Sequence, residues 1–337
     1  MSTQAVPRAF VWRRLHSLMG LWLVLFLFEH LLTNSQAALL LGDRGRGFVH
    51  MVNALHNLPY LQVIELTLLG VPILFHAVLG VKYLFTAKAN SRKTDGASPS
   101  LPEYGRNRAY TWQRITSWIL LVGLIGHVAK FRFLEYPDQV ALGNETYYLV
   151  RVDLDDGLYT VSDRLGVSLY DQKQIHELQK EIDKSSECAL VEAAKSITEE
   201  KSILEQAQPV EYDTQKAVIF SHAQKFQEKR AWVNALSKKP ITATQVIAAA
   251  DNFGTATLLA VRDTFKSPIY VGLYTIFVLA ACFHAFNGFW TFLITWGVIF
   301  KASAQKSMVT FSIVLMLLVT FLGLAAIWGT YWLNLRY

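Results

Sequence analysis

The chain has 337 residues, of which 52% are hydrophobic, 13% aromatic and only 17% charged. Soluble domains carry about 25% charged residues, so this composition excludes a disordered chain and a highly charged nucleic-acid binder. The net charge of +6 is unevenly spread: residues 132–266 sum to −5 and the remainder to +11, the pattern of a basic membrane domain with an acidic insert.

Two uncharged runs, 34 residues from Ser267 to Phe300 and 29 from Ser307 to Leu335, exceed the roughly 20 residues a helix needs to cross a bilayer. In chain order the apolar pattern predicts five helices, at about Arg13–Asn34, Tyr60–Thr86, Tyr110–Phe131, Pro268–Phe300 and Ser307–Leu335. The first and third are the shortest on hydropathy: 14 residues separate Arg14 from Glu29, and 15 separate Arg114 from Lys130. Trp12, Trp112 and Trp118 beside them suit an interfacial aromatic belt. Ser35-Gln36-Ala37 has the small-x-small form of a signal cleavage site. The polar Glu29-His30 pair interrupts the region before it, so helix one reads as a retained span. The two cysteines exclude a disulfide framework or a Cys-rich metal site, and Cys282, inside an apolar run, reads as a small hydrophobe.

Lysines and arginines in short loops set topology. Arg8, Arg13, Arg14, Lys88, Arg92, Lys93, Arg106, Arg108, Lys301 and Lys306 fall on one side; Arg44, Arg46 and Arg336 fall on the other. This places the N-terminus in the cytoplasm, and the C-terminus and the segment after helix three outside. The expected organisation is residues 1–134 for helices one to three, 135–250 for an extramembrane, periplasmic insert, and 251–337 for helices four and five. The insert reads as mostly helical, with exposed amphipathic helices at Ile175–Ile182 and Ala189–Ala207. A short hairpin is expected from 149–153 and 158–161 around Asp155-Asp156-Gly157. It holds no Cys/His cluster, Gly-rich loop or nucleophile motif, and His176 and His222 read as solvated.

Five histidines fall in the predicted helices: His16 and His30 on the first, His76 on the second, His127 on the third and His284 on the fourth. Ionisable residues in a bilayer are rare and point to function. Imidazoles on four apolar helices suit bis-histidine haem b, whose flat apolar faces bury between helices. At about 1.5 Å per residue, His30 and His127 each lie roughly 25 Å from the cytoplasmic start of their helices, and so share an outer level. His76 lies roughly 15 Å from its cytoplasmic end and His284 roughly 24 Å from Phe300, so depth alone leaves His284 unplaced and it joins His76 partly by elimination. Gly80, Gly288 and Gly123 each lie four residues from one of these histidines. They would clear a helix face for a macrocycle or for close helix packing. Arg13 and Arg14, with His16, would hold haem propionates or anchor the helix on the positive-inside side.

RRLHSLMG and FEHLLTN in helix one, LPYLQVIELTLLGVPILFHAVLGVKY in helix two, WQRITSWILLVGLIGHV in helix three and FHAFNGFWTFLITWG in helix four resemble the cytochrome b membrane subunit of bacterial succinate dehydrogenase. The resemblance is to the single-chain, five-helix, two-haem class shared with fumarate reductases, and it covers nearly all of 8–134 and 251–335. It implies an all-α integral membrane bundle with two haem b groups, the outer held by His30 and His127 and the inner by His76 and His284. It also implies a flavoprotein with FAD and an iron–sulfur protein docked on the cytoplasmic side of a bacterial inner membrane. Electrons would pass through both haems to a quinone near the outer face, menaquinone being typical. This chain has no flavin, succinate or cluster motif of its own, so its share of that activity is electron transfer and quinone reaction. The family joins helices three and four by a short segment; here about 115 extra residues intervene.

Quinone reduction consumes protons, which makes Glu65, early in helix two, and Glu29, beside His30, candidates for that site. His50 and His56 lie in the same outer loop. Two other readings stay open. A hydrogenase or formate dehydrogenase anchor would share the four histidines. A transporter would line a polar path with them, although no internal repeat is evident.

Overall fold

The computed structural model describes residues 6–39, 43, 45–86, 103–185 and 224–336. Arg44, Lys88, Arg92, Lys93, Cys188, His222 and the helix expected at Ala189–Ala207 lie outside the described residues. In order, the elements are α1 (Arg8–Ser35), α2 (Arg46–His56), α3 (Leu61–Thr86), α4 (Gly105–Leu134), β1 (Asp138–Leu142), β2 (Glu145–Asp153), α5 (Asp156–Leu165) and β3 (Ser168–Tyr170). Then come α6 (172–185), α7 (224–237), β4 (Gln245–Ala250), α8 (Phe253–Thr264), α9 (Pro268–Thr295) and α10 (Ala302–Arg336). The chain divides into two compact units, residues 1–134 with 264–336, and residues 135–263.

In the first unit α1, α3, α4, α9 and α10 are each long and apolar enough to cross a membrane. Helices α1 and α9 occupy the middle: α1 packs on α3, α9 and α10, and α9 also packs on α4 and α10. Small residues set the closest approaches. A Cβ on Gly323 would lie 2.6 Å from Val278, and one on Gly329 would lie 2.7 Å from Ala38, the small-residue packing that membrane helices use in place of a hydrophobic drive. Large apolar side chains such as Leu74, Val122, Leu273 and Leu317 stay exposed, as a lipid-facing surface requires.

Helix α9 stops at Thr295, five residues before the expected end, because Gly297 adopts φ +71° and closes the helix in a left-handed C-terminal turn. This places His284 about 16 Å from the end of its helix, against about 15 Å for His76 on the parallel α3. The depth that the sequence left unassigned is thus the depth of His76.

Three of the spanning helices contain a π-helical segment, Glu65–Gly70 in α3, Ala129–Leu134 in α4 and Ala325–Gly329 in α10. In α3 a proline follows this segment. Pro72 has no N–H, so the carbonyl of Leu68 loses its i+4 donor. The indole Nε1 of Trp22, on α1, donates to that carbonyl instead.

The second unit is built on a four-stranded antiparallel sheet of order β1-β2-β4-β3. Helical residues outnumber strand residues here, yet the sheet is the centre, and both of its faces are covered. Val150, Val152, Val246, Ala248 and Ala250 face Leu158 of α5 and Ala256 and Leu259 of α8. Leu149, Ile247 and Ala249 face Ile175 and Ile182 of α6 and Trp232, Val233 and Leu236 of α7.

The expected hairpin is corrected. Residues 149–153 are indeed strand, but 158–161 lie within α5, and β2 pairs with β1 and β4 instead. The reason is Asp155. Its Oδ1 accepts from the Leu158 N–H at 2.8 Å, an N-cap, and its carboxylate takes two hydrogen bonds from Arg262, at 2.7 and 2.9 Å. The unit also runs past residue 250, because α8 supplies core residues to the sheet. His176 is exposed on α6, as expected.

Candidate functional site

The helix packing gathers the intramembrane histidines into two groups. At one level His30 of α1 and His127 of α4 have ring centroids 5.8 Å apart. At the other, His76 of α3 and His284 of α9 have centroids 6.2 Å apart. In both pairs the rings are close to perpendicular, at 86° and 81°.

Three of the four rings are anchored through Nδ1. His76 Nδ1 lies 3.0 Å from the carbonyl of His16. His127 Nδ1 lies 3.2 Å from the Tyr274 hydroxyl. His284 Nδ1 lies 3.4 Å from the hydroxyls of both Thr116 and Ser117. Donation from Nδ1 fixes the tautomer that leaves a lone pair on Nε2, and none of these Nε2 atoms is hydrogen-bonded among the described residues. Among the described residues His30 has no ring hydrogen bond; it stacks on Phe26, 5.4 Å away and 24° from parallel.

These residues fit a bis-histidine haem. Two imidazoles bound end-on to one metal ion, at about 2.0–2.1 Å per nitrogen, hold their centroids roughly 6.3 Å apart, close to both observed separations. Among the described residues no cluster of three or more His, Cys, Asp or Glu is arranged to hold a metal ion. A two-ligand set suits an iron that brings four macrocycle nitrogens with it; a bare zinc ion needs two more ligands.

His16 joins the His76–His284 group without adding a ligand direction. Its ring stacks on that of His76 at 4.0 Å and 10° from parallel, so the in-plane lone pairs of the two rings do not converge. Its Nδ1 is buried without a hydrogen-bond partner among the described residues. Arg14 lies over the rings of Phe10, at 4.7 Å, and Trp296, at 5.2 Å, while Arg13 is exposed. The structure brings neither arginine into contact with a histidine of either pair.

The glycines divide. A Cβ on Gly80 would meet His16 at an ordinary 3.7 Å, and one on Gly288 would meet Gln113 at 3.8 Å. One on Gly123 would come within 2.4 Å of Phe277, so Gly123 serves helix packing. Among the described residues, the glycine closest to a histidine is Gly20, which the sequence pattern did not single out: a Cβ there would lie 2.9 Å from His76 Cε1. Its signal was its place four residues after His16. Also missed was a polar chain behind His284. Trp290 Nε1 donates to Asn287, Asn287 donates to Gln113, and Gln113 Nε2 donates to the His284 carbonyl at 3.1 Å. Gln113, Thr116 and Ser117 share one face of α4 at i, i+3 and i+4 spacing, a signal available in WQRITSW.

The two candidate carboxylates are separate. Glu29 accepts from Thr33 of its own helix at 2.8 Å and makes no polar contact with Glu65. Glu65 pairs with Arg132 at 2.9 Å, joining the π-helical segments of α3 and α4. His56, at the end of α2, lies in the same electrostatic neighbourhood: burial pushes its imidazole down, against an upward pull from Glu65. Arg132 is thus a further missed residue, hidden because it follows the expected end of helix three.

The chain is similar to the succinate dehydrogenase cytochrome b558 subunit of Bacillus subtilis (strain 168), 35% identical over 127 residues. The match covers 37% of this chain and 56% of that relative, so the chain spans little more than half of the curated relative it matches. No family model matches the chain, and no solved structure does.

Proposed function

We propose that this membrane protein is the dihaem cytochrome b anchor of a succinate dehydrogenase or fumarate reductase, carrying electrons from an iron–sulfur subunit to a quinone. The observation that carries the reading is the pair of bis-histidine constellations, each at the centroid separation of a shared metal ion, three of their rings anchored through Nδ1. Haem b in such sites supplies reversible one-electron storage. His76 and His284 hold the inner group, and His30 and His127 the outer one. Gly20 makes room for the His76 ring, and the carbonyl of His16 holds it.

The relative's name supports the succinate dehydrogenase assignment over a hydrogenase or formate dehydrogenase anchor. The proposed partners are a flavoprotein with FAD and an iron–sulfur protein on the cytoplasmic side. That side is assigned by the ten lysines and arginines in its loops against three opposite. The same count supports a C-terminus and an insert outside a bacterial cytoplasmic membrane. We place quinone reaction at the outer end, with the Glu65–Arg132 pair joining two π-helical segments, a feature common at functional sites. Menaquinone is the proposed acceptor.

The deciding experiment is a pyridine haemochrome assay on the purified chain with a reduced-minus-oxidised spectrum. Two b haems per chain are expected, falling to one in His127→Ala with the inner haem retained. A folded preparation from haem-replete cells that contains no haem would overturn the reading.

A further inference from the structure

Tyr274 stands on α9, the helix that carries the inner ligand His284, yet its hydroxyl reaches the outer histidine. The hydroxyl lies 3.2 Å from His127 Nδ1, and the two rings are 5.8 Å apart, edge to face. The approach is built into both helices. Gly123 lies one turn before His127 on α4, and the missing Cβ there is what admits the ring of Phe277. Phe277 is three residues after Tyr274, on the same side of α9. Phe131, Phe265 and Phe277 each pack their rings against that of Tyr274. The phenol is therefore held in place by packing, and its hydroxyl is directed at His127.

We infer that Tyr274 is a positioning residue for the outer haem, fixing the tautomer of His127 and setting the electron density on its ligating nitrogen. The inference rests on the dihaem reading. For His127 to ligate through Nε2, that nitrogen must be deprotonated, and the ring proton then sits on Nδ1. Nδ1–H donates and the Tyr274 oxygen accepts. A donated Nδ1 proton makes Nε2 more basic and favours the oxidised, more positive metal, so the bond lowers the reduction potential of the group it serves. The other outer ligand, His30, has no such bond, so Tyr274 is the one hydrogen-bonding control on that pair among the described residues. Helix α9 thereby serves both sites, as ligand donor at one and as orienter at the other, about 15 Å apart along its axis.

The test is a potentiometric titration of both b haems in Tyr274→Phe, made in the full chain. Phenylalanine keeps the ring and its aromatic contacts and removes only the hydroxyl. The outer component, identified as the one absent from His127→Ala, is expected to move to a more positive potential with the inner component unmoved. Low-temperature EPR of the oxidised protein is expected to change in the outer low-spin signal alone. Thr275→Val, which alters a neighbouring hydroxyl that accepts from Trp328, is expected to move neither component. If Tyr274→Phe loses the outer haem, 3-fluorotyrosine at position 274 weakens the acceptor without changing the packing, and a smaller positive shift is expected. Two haems with unmoved potentials, or a shift confined to the component that His76→Ala removes, would overturn the inference and leave the dihaem reading standing. Absence of haem from the unsubstituted chain would overturn both.

Discussion

The indole of Trp22 donates to the carbonyl of Leu68, the carbonyl that Pro72 leaves without its helical donor. In water such a carbonyl would be hydrated. In an apolar bundle it needs a protein partner, and α1 supplies one. Trp22→Phe is expected to cost about 0.5–1.5 kcal/mol, the range of interhelical hydrogen bonds in membranes. The same substitution made in Pro72→Ala should cost less, because alanine in place of the proline restores the N–H. Thermal unfolding of the four corners of this cycle in detergent checks the coupling, and equal costs in the two backgrounds would disprove it.

Gly20 offers a steric test of the inner site. Gly20→Ala places a methyl 2.9 Å from His76 Cε1 and 3.2 Å from Nδ1, so the imidazole has to turn or α1 has to move away. Overpacking of this kind costs about 1–3 kcal/mol. Loss or spectral change of the inner haem is expected, with the outer haem retained. Gly80→Ala, whose methyl would sit 3.7 Å from His16, is the control and should keep both.

In the insert, Asp155 both caps α5 and holds Arg262, whose side chain is 11% exposed. Asp155→Ala removes the cap, worth about 1 kcal/mol, together with a charge-assisted pair. With Asp155 itself partly solvated, a total loss of about 2–4 kcal/mol is expected. Asp155→Asn keeps a cap acceptor and should recover roughly 1 kcal/mol of it. Hydrogen exchange at the amides of β4, buried on both faces of the sheet, measures the loss.

The spanning helices were legible because charge-free runs of this length have few alternative explanations, and the histidines because ionisable groups are rare within such runs. The ends of the helices were less so. Hydropathy continues through Phe300, and the stop at Thr295 depends on the backbone of Gly297. The sheet was nearly hidden. Strand β4 reads Gln-Val-Ile-Ala-Ala-Ala, and its alanines favour strand only because helices close on both faces and leave room for little more than a methyl group. Tyr274 was not legible, since one tyrosine in an apolar helix looks like any interfacial aromatic until the neighbouring helix is placed beside it. Arg132 was passed over because the helix pattern fades at Phe131, whereas the π-helical turn carries the chain on to Leu134.

The insert has a core of its own and contributes none of the four paired histidines. Replacing residues 135–263 with a flexible Gly/Ser linker is therefore expected to leave two haems per chain. The cut belongs at 263 rather than near 250, because a cut at 250 would strip the sheet from Ala256, Leu259 and Ala260 and expose an apolar face of α8. Haem content of the two deletion variants, with their yield in the membrane fraction, tests both statements. Loss of a haem from a stably inserted 135–263 variant would contradict the first.

Glu65 and Arg132 form an ion pair with side chains 39% and 43% exposed, and pairs so open contribute only about 0–1 kcal/mol to stability. A structural role alone therefore predicts almost nothing for Glu65→Gln beyond a slight loss of stability. A role at the quinone site predicts more, because the amide keeps the size of the side chain and cannot deliver a proton. In the assembled complex, quinone reduction is expected to fall at least about tenfold in Glu65→Gln, corresponding to about 1.4 kcal/mol of transition-state stabilisation, with haem content and spectra unchanged. Arg132→Gln should show a smaller loss, since it leaves the carboxyl in place and removes its partner. Glu29→Gln is the comparison: its carboxylate is engaged by Thr33 within α1 and is expected to retain activity. Full activity in Glu65→Gln together with a collapse in Glu29→Gln would move the site from the α3–α4 edge to α1.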